Sequence, residues 1–322
     1  MHKFIIFRQS IFPCNTSLDI MKTQQMTEQQ QMNIDECFST MAVMLRQDKI
    51  GYKLPDYLRN LPRFTESGLP VDAIARSAIV DWCFLIMETC DYRAETAMIA
   101  VSCLDRFVAT SDGRSILLDR VQYQLASLAA VYLAIKVHEQ QALTPSIIAR
   151  LSHGLHTEAS IEAMERRMLS AISWRVNPPT PLDFSRKFLE IIPEQILDDD
   201  DREEVIDLVQ SQSKLSMKSY DVCLMGASKT AFAALLNAFQ RVKGNKITSS
   251  MALMIDQMID TKSHSFINLQ NQLSDAIGYH STMELPKAKE PISPCQTSHS
   301  SSCNSNDKTR SRSLSPKSVQ IS

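Results

Sequence analysis

Apolar positions recur at helical spacing along most of the chain, and one stretch organises the rest. Residues 124–139 read QLASLAAVYLAIKVHE, apolar on nearly every face before Lys136. A helix with no polar face has to be ringed by other helices rather than lie on a surface. Ala126, Ala129, Ala130 and Ala134 keep it thin, so neighbouring backbones can approach and ridges can enter grooves. The stretch is too long for a strand, and alanine is depleted in strands. It therefore predicts the central helix of a helical domain, beginning near Asp119. Lys136 falls at its carboxyl end, where a cation suits the helix dipole.

The flanking pattern supplies the ring. A helix is expected over 35–47, with Phe38, Met41, Met44 and Leu45 on one side, followed by an extended connection carrying Tyr52, Leu54, Tyr57 and Leu58. Helices are then expected over 71–88, 93–109, 119–139, a short one after Thr144-Pro145, and one over 158–172. Thr144-Pro145 reads as a cap followed by proline at the first helical position. Asn177-Pro178-Pro179-Thr180-Pro181 ends this set, because proline breaks helices and restricts the residue before it. Thr180-Pro181 then opens a second set carrying Leu182, Phe184, Phe188, Leu189 and Ile192. The acidic run 198–201 marks a helix start, where negative charge is favourable. Residues 223–242 include KTAFAALLNAF, a second thin apolar helix, and shorter helices are expected over 248–259 and 266–277.

The expected fold is all-α: two tandem five-helix domains, 71–178 and 179–280. An amino-terminal helix and connection (33–70) precede them. Segment 1–32, which ends in the glutamine-rich TQQMTEQQQM, and the serine-rich segment 281–322, whose stretch HSSSCNSNDKTRSRSLSPKS is almost free of large apolar residues, are expected to be disordered.

Composition narrows the function classes. The chain has 322 residues, 44% hydrophobic content and a formal net charge of −2, so no general pull toward nucleic acid is implied. Seven glycines disfavour turn-rich β folds and glycine-rich phosphate loops. The eight cysteines form no CxxC, and several sit in apolar helical runs, so a reducing compartment and no zinc site are expected. No apolar run reaches about 18 residues, so no membrane span is expected. The opening MHKFIIFRQSIF is broken by Arg8 and lacks a small-residue cleavage site, so no secretory leader is expected. His138-Glu139 starts like a zinc-protease motif, but Ala142 stands where the second histidine would be. No Ser/His/Asp constellation, cofactor motif or kinase signature is legible.

Five motifs in order carry a resemblance. ARSAIVDW at 75–82, CLDRF at 103–107, QL at 124–125, AIKVHE at 134–139 and MERRMLSAISWRVNPPTPLDF at 164–184 are similar to successive helices of the cyclin box. Arg76, Asp105, Leu125, Lys136 and Glu165 match the residues most characteristic of that family. The resemblance covers 35–182 well and 183–278 more loosely, with a faint lean toward D-type or plant-type cyclins in SWRVNPPTPLDF. It implies a non-catalytic regulatory subunit that pairs with a cyclin-dependent serine/threonine kinase in nucleus and cytoplasm and controls cell-cycle progression. A transcription-type cyclin, or a DNA-binding protein of general-transcription-factor type on the same fold, is the alternative. No amino-terminal zinc ribbon or basic surface supports the DNA-binding form.

The candidate residues fall into groups. Arg76 and Asp105 lie in apolar helices where neither charge could be buried alone, so they read as a structural ion pair. Lys136 and Glu165 read either as a surface ion pair or, by the resemblance, as the pair that grips the kinase αC helix. In the second reading Val137, Leu169, Trp174 and Val176 form the surrounding apolar surface. The resemblance also implies a substrate-docking groove at Ala75, Ala78, Ile79, Trp82 and Gln124. Ala75 stands there for the usual methionine and Leu85 for the usual acid, which implies a shallower, uncharged groove, and Trp82 reads equally well as core. Ser293-Pro294 and Ser315-Pro316 are minimal proline-directed phosphorylation sites, and Lys308, Arg310 and Arg312 form a basic cluster suited to nuclear import.

Overall fold

The computed structural model describes residues 28–59, 61–62 and 69–280, and these are helical with no strands among them. The candidate phosphorylation sites Ser293 and Ser315, the basic cluster and most of both expected tails lie outside the described residues.

Helix α1 (Glu28–Arg46) leads into a π-helical turn, Gln47–Gly51. The first domain then comprises α2 (Ala73–Thr89), α3 (Ala94–Val108), a 3₁₀ turn (Arg114–Leu118), α4 (Arg120–His138), α5 (Pro145–Arg150) and α6 (Glu158–Ala171). The second comprises α7 (Pro181–Leu189), α8 (Asp199–Lys218), the single turn α9 (Tyr220–Cys223), α10 (Ala227–Val242), α11 (Asn245–Asp256) and α12 (His264–His280). The start signals act as the sequence suggests. The side chains of Asp119, Thr144, Thr180 and Asp198 each accept a backbone N–H of the helix they open. At Thr180 the Asp183 carboxylate reaches back to the cap as well, completing a capping box.

Two boundaries differ from expectation. Helix α1 begins at Glu28, so 28–32 are helical rather than part of a disordered tail. Glutamate and glutamine are good helix formers, and α1 is anchored by packing on α7, where the Cys37 thiol donates to Glu190 at 3.1 Å. The expected helix over 223–242 is interrupted at 224–226. Gly226 takes φ +91°, a conformation that strains any other residue, and α10 starts after it.

Each domain is built around a thin helix. In α4 every residue from Leu125 to Ile135 is buried, with α2, α3, α5 and α6 packed around it. In α10, Ala231, Ala233, Ala234 and Ala238 play the same part against α7, α8, α11 and α12. Phe232 meets Phe184 and Phe188 at ring separations of 6.0 and 5.8 Å, which centres the second core.

A strap between α1 and α2 ties the two domains. Asp48, buried in the π-turn, accepts from Ala227 N and Ser228 N at 3.1 Å each and from Ser228 Oγ at 2.5 Å, capping α10 from a distant part of the chain. Tyr52 lies on the Arg106 guanidinium at 4.8 Å, and Gly51 O accepts from Arg175 at 3.2 Å. Further on, the Tyr220 hydroxyl receives Leu58 N and donates to Asp56. Hydrogen bonds to a charged acceptor each contribute about 1.5–3 kcal/mol. Asp48→Ala is therefore expected to lower stability by at least that much in urea unfolding, with Asp48→Asn intermediate; an unchanged midpoint would show that the cap carries no weight.

Candidate functional site

Arg76 and Asp105 meet in a fully buried, two-pronged ion pair between α2 and α3. Nε reaches Oδ1 at 2.9 Å and Nη2 reaches Oδ2 at 2.6 Å. The pair is also a junction. Arg76 Nη1 donates to Met217 O at 2.7 Å and Nη2 to Cys223 Sγ at 3.1 Å, while the Tyr57 hydroxyl donates to Asp105 at 2.6 Å. Two domains and the strap thus converge on one ion pair, the second domain through Arg76 and the strap through Asp105. Burial, then the Asp105 charge, push the Tyr57 phenol up, so it stays a donor. Burial likewise pushes the Cys223 thiol up to about 11, so it is a neutral thiol that donates to Met217 O.

Lys136 and Glu165 are brought together at the other side of the first domain. Lys136 lies in the last turn of α4 and Glu165 midway along α6, with Nζ 2.5 Å from Oε1. The pair is lopsided: the lysine side chain is 44% exposed and the glutamate 7%. Lys136 also lies over the Tyr132 ring at 4.9 Å. Glu165 Oε1 is buried and no donor meets it in hydrogen-bond alignment, so the carboxylate keeps unused acceptor capacity.

The apolar surroundings are split. Val137 is exposed, Val176 half-buried and Leu169 buried, so Leu169 supports the site from beneath rather than presenting itself. Trp174 is 72% exposed, an unusual position for an indole. Its placement follows from backbone: Ser173 and Trp174 both take left-handed φ, +55° and +59°, and this ends α6 and turns the chain outward. Such residues cost of order 1–3 kcal/mol each and persist only where the surroundings enforce them. Here Trp174 N bonds Leu169 O at 2.9 Å, Arg106 donates to Arg175 O at 2.6 Å, and the His138 ring meets Val176 O at 3.1 Å. Exposed Ile147 on α5 and Leu155 just beyond it belong to the elements packed on α4 and α6. Nothing in their local pattern distinguishes them from core positions, so sequence reasoning passed over them.

The proposed groove residues are dispersed in depth. Ile79 and Trp82 are buried, Ala75 and Gln124 half-buried and Ala78 exposed. Leu85 is exposed on the same helix, and nearby Asp81 is paired with Lys218 of α8 at 2.7 Å. Trp82 serves the core there. Among the described residues no cluster of histidine, cysteine or acidic side chains could hold a metal, and no helix is long and apolar enough to cross a membrane.

Residues 39–177 match the cyclin N-terminal domain family, a match that begins within α1 and so takes in the strap. Two Glycine max proteins, G2/mitotic-specific cyclins S13-6 and S13-7, are 26% identical over 239 residues and 24% identical over 237, covering 73% and 72% of this chain. The chain spans 46% of the length of the first and 83% of the second. A viral cyclin from herpesvirus saimiri superposes with a TM-score of 0.52 at 16% identity, over 65% of this chain and 86% of that one, a likeness of fold alone. With the all-helical architecture and the five motif residues in place, residues 39–177 carry a cyclin N-terminal domain, and the wider chain is similar to cyclins.

Proposed function

We propose that the protein is a non-catalytic regulatory subunit that binds a cyclin-dependent serine/threonine kinase and holds it in its active arrangement. The observation that carries this is the lopsided Lys136–Glu165 pair, half in solvent and half buried, beside an exposed Trp174 held out by strained backbone. A desolvated polar pair beside apolar anchors is how interface hot spots are built. The cyclin box implies the rest: the pair bonds backbone groups at the kinase's αC helix, and the apolar residues pack on it. Activation is then a population shift. The subunit binds the active kinase conformation better, so that state becomes dominant. Cell-cycle control, and residence in nucleus and cytoplasm, extend the same reading; the mitotic names of the relatives favour a dividing-cell role over a transcriptional one.

Affinity purification of the full chain from dividing cells, followed by kinase identification and a phosphorylation assay with the recombinant pair, tests it. The expected result is a cyclin-dependent kinase whose activity rises on addition of the chain. Recovery of no such kinase, or a recovered kinase with unchanged activity, would sink it.

A further inference from the structure

A half-open cavity of about 500 Å³ lies between the two domains beneath the strap. Its size falls within the range of about 300–1,000 Å³ typical of ligand sites. The apolar part of its wall includes Tyr52, Met98, Met217, Leu224 and Ile259, drawn from the strap and from both domains. The charges are out of balance. Arg106, only 9% exposed, lines the cavity; its guanidinium donates to the Ser102 and Arg175 carbonyls and lies on Tyr52, but has no carboxylate partner among the described residues. Lys49, Lys53 and Lys229 also line it, and none has an ion pair among the described residues. Of the acids on the wall, Asp48 is taken up by α10 and Asp105 by Arg76, which leaves Asp260. A buried cation without a counter-ion is costly, and an arriving anion would relieve it.

We propose that this cavity is a docking site for an acidic peptide segment of a partner protein. One bulky apolar side chain of the peptide would seat on the methionines and Tyr52, and anionic oxygens on its flanking residues would meet Lys49, Lys53 and Lys229. The chain's own segments outside the described residues do not fit. Residues 281–322 carry six lysines and arginines against three acids, and 1–27 carry three against one. Neither Lys136 nor Glu165 lines the cavity, although Arg106 also holds Arg175 O beside Trp174, and the proposal stands whether or not that pair binds a kinase.

The test uses the full chain and three fluorescein-labelled peptides, each with Leu-Phe at its centre: one flanked by aspartates, one by phosphoserines, one by lysines. Fluorescence polarisation is expected to show saturable binding of an anionic peptide, weakened by added salt, and none of the lysine twin. The tighter of the two anionic peptides identifies carboxylate or phosphate as the natural source. Lys53→Glu with Lys229→Glu should weaken binding about tenfold or more, equivalent to about 1.4 kcal/mol, while Lys229→Arg binds as wild type. Thermal melts of both variants check the fold. Equal affinity for the acidic and lysine peptides, no saturable binding at millimolar peptide, or unchanged affinity in the folded double variant would each overturn the proposal.

Discussion

Asp105→Ala lowers the stability of the chain by about 3–5 kcal/mol, the loss expected when a buried ion pair keeps one partner. A wild-type domain has only about 5–15 kcal/mol to lose. The substitution strands the Arg76 guanidinium in a site with no solvent, held by one carbonyl and one thiol, and removes the acceptor of the Tyr57 hydroxyl. The effect should reach both domains and the strap, because the strap meets Asp105 directly and the second domain meets the guanidinium that Asp105 holds. Asp105→Asn keeps the shape but not the charge and should recover little. Arg76→Met combined with Asp105→Leu removes both charges and should recover a large part, since apolar replacement of a whole buried pair is often near neutral. Urea unfolding followed by circular dichroism reads all three. A loss below about 1 kcal/mol for Asp105→Ala, the range of an exposed pair, would mean that water reaches the site.

The strut between α2 and α3 was legible because two opposite charges sat in apolar helices that could not bury them singly. Its second half was not. Met217 and Cys223 lie far along the chain, and one contributes a backbone carbonyl, a group that every residue carries and that leaves no mark in a sequence. The same holds for Asp48. Its partners are two backbone N–H groups and a serine at the start of α10, and its own neighbours suggest an ordinary polar connection. What could be read were local rules: the caps at Thr144 and Thr180, the helix starts near Asp119 and at the acidic run 198–201, the proline run that separates the domains, and the thin apolar helices at their centres. Burial depth was legible only on average. Trp82, which read equally well as groove and as core, is buried, whereas Trp174, placed on a surface only by resemblance, is thrown out by two left-handed residues that no local pattern announces. That turn depends on carbonyls held by Arg106 and His138, contacts formed only once α3, α4 and α6 are packed.

The exposed face of that turn is where the remaining large effect is expected. Glu165→Ala should weaken kinase association by about 2–5 kcal/mol, the loss seen when one member of a buried interfacial charge pair is truncated. That is about 30- to 4,000-fold in Kd. The fold should survive, because the substitution removes a buried carboxylate and leaves Lys136 free to turn to water. Lys136→Ala should behave differently. It leaves the Glu165 carboxylate buried with no cation, so it should lower stability as well as affinity. The double substitution should cost association less than the sum of the singles, since both act on one contact. Trp174→Ala gives an independent reading: an exposed indole on a partner's helix should contribute at least about 2 kcal/mol to binding, and its loss should not disturb the core. Titration calorimetry of each folded variant against the kinase recovered with the wild-type chain measures these effects. Wild-type affinity in both Glu165→Ala and Trp174→Ala would place the kinase elsewhere on the molecule and leave the strained turn at 173–174 without a purpose.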